Sequence, residues 1–252
     1  MLTDVAIIGG TGVGDALASM GGEPIHIPTF AGQLSGRLVP HTSGPLLVVN
    51  RHSSGHKVPP HRVNYEAIAR GLKSAGVRYC FASAAVGSLR KDWDKGTMVA
   101  VSDFIDLSGR HQTLHSRTVV HSDFSTPFPA GHFLIEAGET LGLDVKPSGI
   151  YVCENGPRYE TPHEIRMLSH VGDVVGMTAA TEAVLFRESS FPRAPEGGST
   201  SVQYACLALV TNLAAGITDQ PLNHVEVEHE MRKNSKEVVR LFLVAADLAR
   251  GR

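Results

Sequence analysis

Short runs of apolar, often β-branched residues recur along this chain, and between several of them the apolar positions repeat with a helical period. The runs are Val5 to Ile8, Leu46 to Val49, Val77 to Ala82, Met98 to Val101, Gly149 to Cys153, Asp173 to Met177 and Tyr204 to Thr211. Strands apolar on both faces need cover on both faces, which crossover helices give to a parallel or mixed sheet. Helical patterns at Tyr65 to Ser74, Gly131 to Leu141, Pro162 to Ser169, Ala180 to Glu188 and His224 to Ala249 supply it. The reading is an α/β fold, a single domain over residues 1–252 with a central mixed, twisted β-sheet flanked by helices. In such sheets the chemistry gathers in the loops at the carboxyl ends of the strands.

Composition removes several classes of function. Lys+Arg 23 against Asp+Glu 25 gives a net charge of −2 with no basic cluster, so nucleic acid is not an expected partner. The longest apolar stretches, Tyr204 to Val210 and Leu241 to Ala246, fall far short of the roughly 20 residues that span a bilayer, so no membrane is expected either. The N-terminus reaches Asp4 before any basic residue, unlike a secretory leader. Cys80, Cys153 and Cys206 are odd in number, far apart and inside apolar runs, which reads as reduced core thiols and a cytoplasmic location. The polar segment 189–201, with two prolines and a Gly-Gly pair, reads as an exposed loop. Val227 to Ala249 reads as an amphipathic packing helix.

Several strand ends carry residues suited to chemistry. Gly9-Gly10-Thr11-Gly12 offers backbone N–H groups and a hydroxyl to an anion, or is a plain strand-to-helix turn. It lacks both the GxGxxG spacing of a dinucleotide site and the Gly-Lys-Ser/Thr of a P-loop, which argues against a dinucleotide-dependent oxidoreductase. Arg51-His52 sets a guanidinium, with its fixed fork of donors, beside an imidazole. His52, His56 and His61 have no nearby Cys or carboxylate to complete a metal site, so no metal is expected. Ala82 to Leu89 closes a strand with small residues, admitting a ligand to the backbone or simply packing closely. Asn155 to Thr161 puts an aromatic ring beside a carboxylate, although Glu160 or Thr161 would also support a helix start. Thr178 either donates to an anion or caps a helix, and Asn212 either forms a turn or recognises a base.

Together these segments resemble the trimeric purine nucleoside phosphorylase and methylthioadenosine phosphorylase family. The resemblance runs through Ile7 to Gly12, Arg51-His52, Val63-Asn64-Tyr65, Gly87-Ser88-Leu89, Asp103 to Asp106, Gly156 to Thr161, Gly176-Met177-Thr178 and Thr211-Asn212, and is poor over 20–45 and 189–201. It implies the nucleoside phosphorylase fold, a homotrimer, and cleavage of a purine nucleoside by inorganic phosphate to free base and sugar 1-phosphate, with no cofactor. It implies a phosphate site of Thr11, Arg51, His52, the Ala85 backbone N–H and Thr178. Ala84 departs from the Thr or Asn of relatives and removes one side-chain contact. Met177 matches the methionine under the ribose and Tyr159 the aromatic residue against the base. Asn212 matches the side chain that serves purine N7, with Glu160 accepting from N1–H; Asn212 and His52 are the catalytic candidates.

The Glu160 and Asn212 pair implies a 6-oxopurine, because adenine presents a bare N1 acceptor to the carboxylate. The 5′ end leaves two branches open. His224 resembles the histidine that bonds a 5′-hydroxyl in inosine and guanosine phosphorylases. Tyr204 to Gly216 and His121 to Phe124 look more like the methylthioinosine-cleaving branch, with His121 coming from a neighbouring subunit. A non-catalytic nucleoside-binding protein on the same fold is a further alternative, suggested by Ala84 and segment 189–201.

Overall fold

The computed structural model describes residues 1–53, 57–189, 201–218 and 222–251. Its strands are β1 (Val5–Gly9), β2 (Glu23–Thr29), β3 (Gly32–Val39), β4 (Leu46–Asn50), β5 (Tyr79–Ser88), β6 (Met98–Ala100), β7 (Asp103–Asp106), β8 (Val145–Lys146), β9 (Ile150–Cys153), β10 (Val174–Gly176) and β11 (Gln203–Leu213). Its helices are α1 (Val13–Ala18), α2 (Tyr65–Ala75), α3 (Gly131–Leu141), α4 (Pro162–Leu168), α5 (Ala179–Glu188) and α6 (His224–Ala249).

All the strands join one mixed sheet. Its main path is β2-β3-β4-β1-β5-β10-β9-β7, while β11 pairs with β5 and β6, and β6 with β8. Every residue of β1 is buried, flanked in parallel by β4 and β5, as the apolar Val5 to Ile8 run requires. The ten-residue β5 is the seam: it runs beside β1 through Ala82, beside β11 along its whole length, and against antiparallel β10 from Gly87. From Ser83 to Val86 one edge of β5 therefore has no strand beside it among the described residues. Backbone left open at a strand end is where a ligand can reach N–H and C=O groups.

Helices cover both faces, each with its own apolar cluster. On one face, Tyr65, Ile68 and Leu72 of α2 and Leu185 and Phe186 of α5 pack with Tyr204 and Val86. On the other, Leu17 of α1, Leu134 of α3 and Val238, Leu241 and Phe242 of α6 pack with Ile7, Phe81 and Leu207. Local signals set the helix ends. Asn64 caps α2 by accepting from the Ala67 N–H, and Gly76, at φ 90°, ends it in a left-handed turn.

The structure adds elements that periodicity does not reveal. β2 and β3 form an antiparallel hairpin with β2 at the sheet edge, where Pro24 and Pro28 are tolerated because an edge strand need not donate on its outer side. α1 is short and follows the Gly9 to Gly12 turn, and β7 is formed by the Asp103 to Asp106 segment. The exposed loop expected at 189–201 lies mostly outside the described residues. Its two ends are not exposed: Ser189 and Ser201 are buried, and the Ser189 hydroxyl accepts from the Val202 N–H and donates to the Phe186 carbonyl. No helix among the described residues is long and apolar enough to cross a membrane.

Candidate active site

The carboxyl ends of β1, β4, β5, β10 and β11 enclose a cavity of about 430 Å³, within the usual range for a small-molecule site. Thr11, Arg51, His52, Ala84, Ala85, Met177, Thr178, Tyr159, Glu160, Asn212 and His224 all line it. Residues scattered from position 11 to position 224 thus meet in one place, as the resemblance implies. His121 is the exception: it is exposed and lines no part of the cavity of its own chain.

One end of the cavity is built for an anion. Arg51 follows β4 directly, and its N–H donates to the Gly9 carbonyl, so the two strand ends are locked together. Its guanidinium is buried, with Nε donating to Glu182 Oε1 at 2.5 Å, Nη2 to Glu182 Oε2 at 2.9 Å and Nη1 to the Ser83 carbonyl at 2.9 Å. Burial alone would lower its pKa, but the adjacent Glu182 carboxylate outweighs that and raises it, so the group is a permanent cation. Gly10 is required by this packing: a Cβ there would lie 2.8 Å from Arg51 Nη1 and 2.9 Å from the Ser83 carbonyl oxygen. The Gly10 N–H donates to the Ser83 hydroxyl at 3.0 Å, tying the glycine turn to β5.

His52 Nδ1 lies 2.8 Å from the Val58 carbonyl oxygen. A carbonyl only accepts, so Nδ1 carries a proton, and in the neutral ring Nε2 is then an acceptor suited to the P–OH of a hydrogen phosphate. Thr178 precedes α5 but makes no side-chain cap; its N–H instead donates to Tyr151 Oη at 3.2 Å, and the residue faces the cavity. Of its two sequence readings, capping is the one the structure removes. The amino end of α5 adds a favourable dipole for an anion.

The other end suits a flat heterocycle. Thr161 and Glu164 form a complete capping box at the start of α4, and Glu164 also takes two hydrogen bonds from Arg158, so Glu160 has no part in the helix start. Glu160 is 9% exposed. Burial raises its carboxyl above the usual range, reinforced by Glu154 and Glu164. Across the cavity, the β5–β11 register shifts between Val210 and Asn212, so that Asn212 rather than Thr211 stands opposite Gly87. This bulge re-aims one side chain at a strand end, a common device beside binding sites. The Thr211 hydroxyl donates to Asn212 Oδ1 at 2.9 Å and Asn212 Nδ2 to the Leu213 carbonyl at 3.0 Å, which fixes the amide and leaves one Nδ2–H and one Oδ1 lone pair. At the mouth, Tyr159 Oη lies 3.3 Å from His224 Nδ1, and His224 Nε2 lies 3.6 Å from Glu228 Oε1.

Two residues that support the site have no signal in the sequence reading. Glu182 lies within the Ala180 to Glu188 helical pattern, yet its partner Arg51 is 131 residues away. Arg110 stacks over the Tyr65 ring and donates to the Met177 carbonyl at 2.8 Å, the Asn155 carbonyl at 2.6 Å and Asn155 Oδ1 at 3.0 Å, joining the loop after β9 to the loop after β10. Among the described residues, no group of three or more His, Cys, Asp or Glu side chains is placed to hold a metal ion.

The strand-end cavity thus carries a fixed cation together with an aromatic ring, a carboxylate and an amide, groups able to hold an anion and a heteroaromatic ring. The chain belongs to the phosphorylase superfamily, whose pattern it matches over residues 4–246. It is 39% identical to a probable 6-oxopurine nucleoside phosphorylase of Dictyoglomus turgidum, over 94% of this chain and 89% of the relative. It is 34% identical to a probable S-methyl-5'-thioinosine phosphorylase of Methanopyrus kandleri, over 94% of this chain and 91% of that one. Its fold matches methylthioadenosine phosphorylase from Schistosoma mansoni in complex with adenine, with a TM-score of 0.87 at 27% identity, covering 99% of this chain and 93% of the other.

Proposed function

We propose that this protein splits the N-glycosidic bond of 6-oxopurine nucleosides of the inosine and guanosine type with inorganic phosphate, giving the free base and ribose 1-phosphate. The observation that carries the reading is that Glu160 and Asn212 share one cavity with the Arg51, His52 and Thr178 pole. Phosphate held by Arg51, His52, Thr11, Thr178 and the backbone at Ala85 lies where its charge balances an oxocarbenium-like sugar. The departing purine gathers negative charge, and Asn212 stabilises it at N7 through its remaining Nδ2–H, or through Oδ1 when N7 is protonated. Glu160 accepts from N1–H, which a 6-oxopurine has and adenine lacks. Tyr159 lies against the base and Met177 under the ribose.

No cofactor enters this scheme; phosphate is a co-substrate. The family resemblance supports a homotrimer, in which the exposed His121 completes the site of a neighbouring subunit. The free, buried Cys80, Cys153 and Cys206 suit a cytoplasmic role in purine salvage.

A second reading is cleavage of methylthioinosine. It is favoured by the mouth, where His224 faces Tyr159 and Glu228 while Leu222 and Val227 offer apolar surface to a 5′-thioether. The test is base release from inosine, guanosine and methylthioinosine, in parallel with adenosine and methylthioadenosine, with and without phosphate. Phosphate-dependent release of hypoxanthine or guanine is expected. Preference for methylthioinosine selects the second reading, activity confined to the adenine substrates refutes both, and binding without turnover identifies a nucleoside-binding protein.

A further inference from the structure

The charge pattern around Arg51 contains an apparent contradiction. A site meant for phosphate holds a buried carboxylate, Glu182, against its principal cation, with the side chains of both at 1% exposure. By Coulomb's law alone, that carboxylate weakens anion binding. If the pair served only stability, well-packed apolar side chains would do as well, because a buried ion pair rarely repays its desolvation.

We infer that Glu182 is a positioning residue for phosphate, clamping the Arg51 guanidinium so that its unused N–H groups face the cavity, with Tyr204 clamping Glu182 in turn. A guanidinium has five N–H donors. Glu182 takes two of them in a bidentate grip, the Ser83 carbonyl takes a third, and one on each Nη is left. Tyr204 Oη donates to Glu182 Oε2 at 2.6 Å, so the carboxylate is held from β11 as well. Thr178 and Glu182 are four positions apart at the start of α5, hence on one face of it. A single helical turn therefore presents a hydroxyl to the phosphate and a carboxylate to the arginine that binds it. The gain from a fixed fork is that no reorganisation is needed when the anion arrives.

The inference rests on the phosphorolysis reading, but it can be tested without turnover, by titrating inorganic phosphate onto the whole protein in a calorimeter alongside steady-state kinetics. Positioning and plain charge cancellation predict opposite signs. In Glu182→Gln an amide N–H₂ faces an N–H of Arg51, so the grip breaks while the side-chain volume stays. The Kd and KM for phosphate are expected to rise about tenfold or more, the KM for nucleoside to stay within about threefold, and kcat to fall less than the phosphate KM rises. Unchanged or tighter phosphate binding overturns the inference. If Glu182→Gln does not fold, Tyr204→Phe, which removes only the 2.6 Å bond, decides. Its phosphate KM is expected to rise about two- to fivefold, and an unchanged value refutes the clamp. Wild-type protein that binds phosphate yet releases no base from any nucleoside refutes the phosphorolysis reading, while the titration still decides the role of Glu182.

Discussion

Glu160→Gln tests the base assignment most directly, because it changes one atom type and little else. Glu160 is 9% exposed and has no role in capping α4, so the substitution leaves the helix start intact. On inosine, a charge-assisted hydrogen bond to N1–H becomes a neutral one. The difference is about 1–1.5 kcal/mol, or roughly a five- to twelvefold loss in kcat/KM. On adenosine the change runs the other way. The wild-type carboxylate meets the lone pair of N1 and stays buried without a shared proton, whereas the glutamine amide donates to N1. Removing the mismatch and adding the bond is worth about 2–3 kcal/mol together. The inosine-to-adenosine preference should therefore fall by roughly two to three orders of magnitude, about 3–4.5 kcal/mol in all. The assay is initial-rate base release from both nucleosides at saturating phosphate and neutral pH. A preference changed by less than about fivefold refutes the placement of N1 against Glu160.

Further expectations follow from other parts of the structure. Asn212→Ala removes the group at N7 and should lower kcat about a hundredfold or more with unchanged far-ultraviolet circular dichroism; near-normal turnover would remove Asn212 from the chemistry. Burial raises all three thiols, Cys153 and Cys206 to about 12, so Cys80, Cys153 and Cys206 should resist a thiol reagent in the native protein and react once unfolded. A thiol that titrates in the native state would contradict their packing. The Arg158 hydrogen bond, followed by the Thr161 N–H, lowers the Glu164 carboxyl from its ordinary 4.5 to about 2. A lowered folded value means that its stabilising contribution is present above 4.5 and is lost as pH falls toward 2, so a carboxyl-resolved NMR titration should place the midpoint near 2 and not near 4.5.

What the sequence discloses, and what it does not, divides along physical lines. β1, β4, α3 and α6 are legible because full burial writes an uninterrupted or periodic apolar pattern into adjacent residues. The β2–β3 hairpin is not, since an edge strand exposed to solvent keeps prolines and polar residues that blur its alternation. The polar lining was legible because glycine, arginine, asparagine and glutamate at strand ends match a family pattern. Arg110 and Glu182 bind no substrate atom in the proposed scheme; they hold other residues, and their contacts exist only after distant segments have met. The bulge at Thr211 has the same character, because a register shift is a property of two strands and is written in neither alone.

That dependence on distant segments reaches into how the protein acquires activity. The contacts that shape the cavity span 73 residues from Gly10 to Ser83, 125 from Thr211 to Val86 and 131 from Arg51 to Glu182. Loop-closure entropy makes such high-contact-order pairings slow to form, while α2, α3 and α6 rely on local hydrogen bonds that form early. During refolding, helical signal should therefore return well before turnover. For the same reason, a nascent chain that ends before β11 would carry Arg51 and Glu182 without Tyr204 or Asn212, and the enzyme stays silent until nearly all of its sequence has been made.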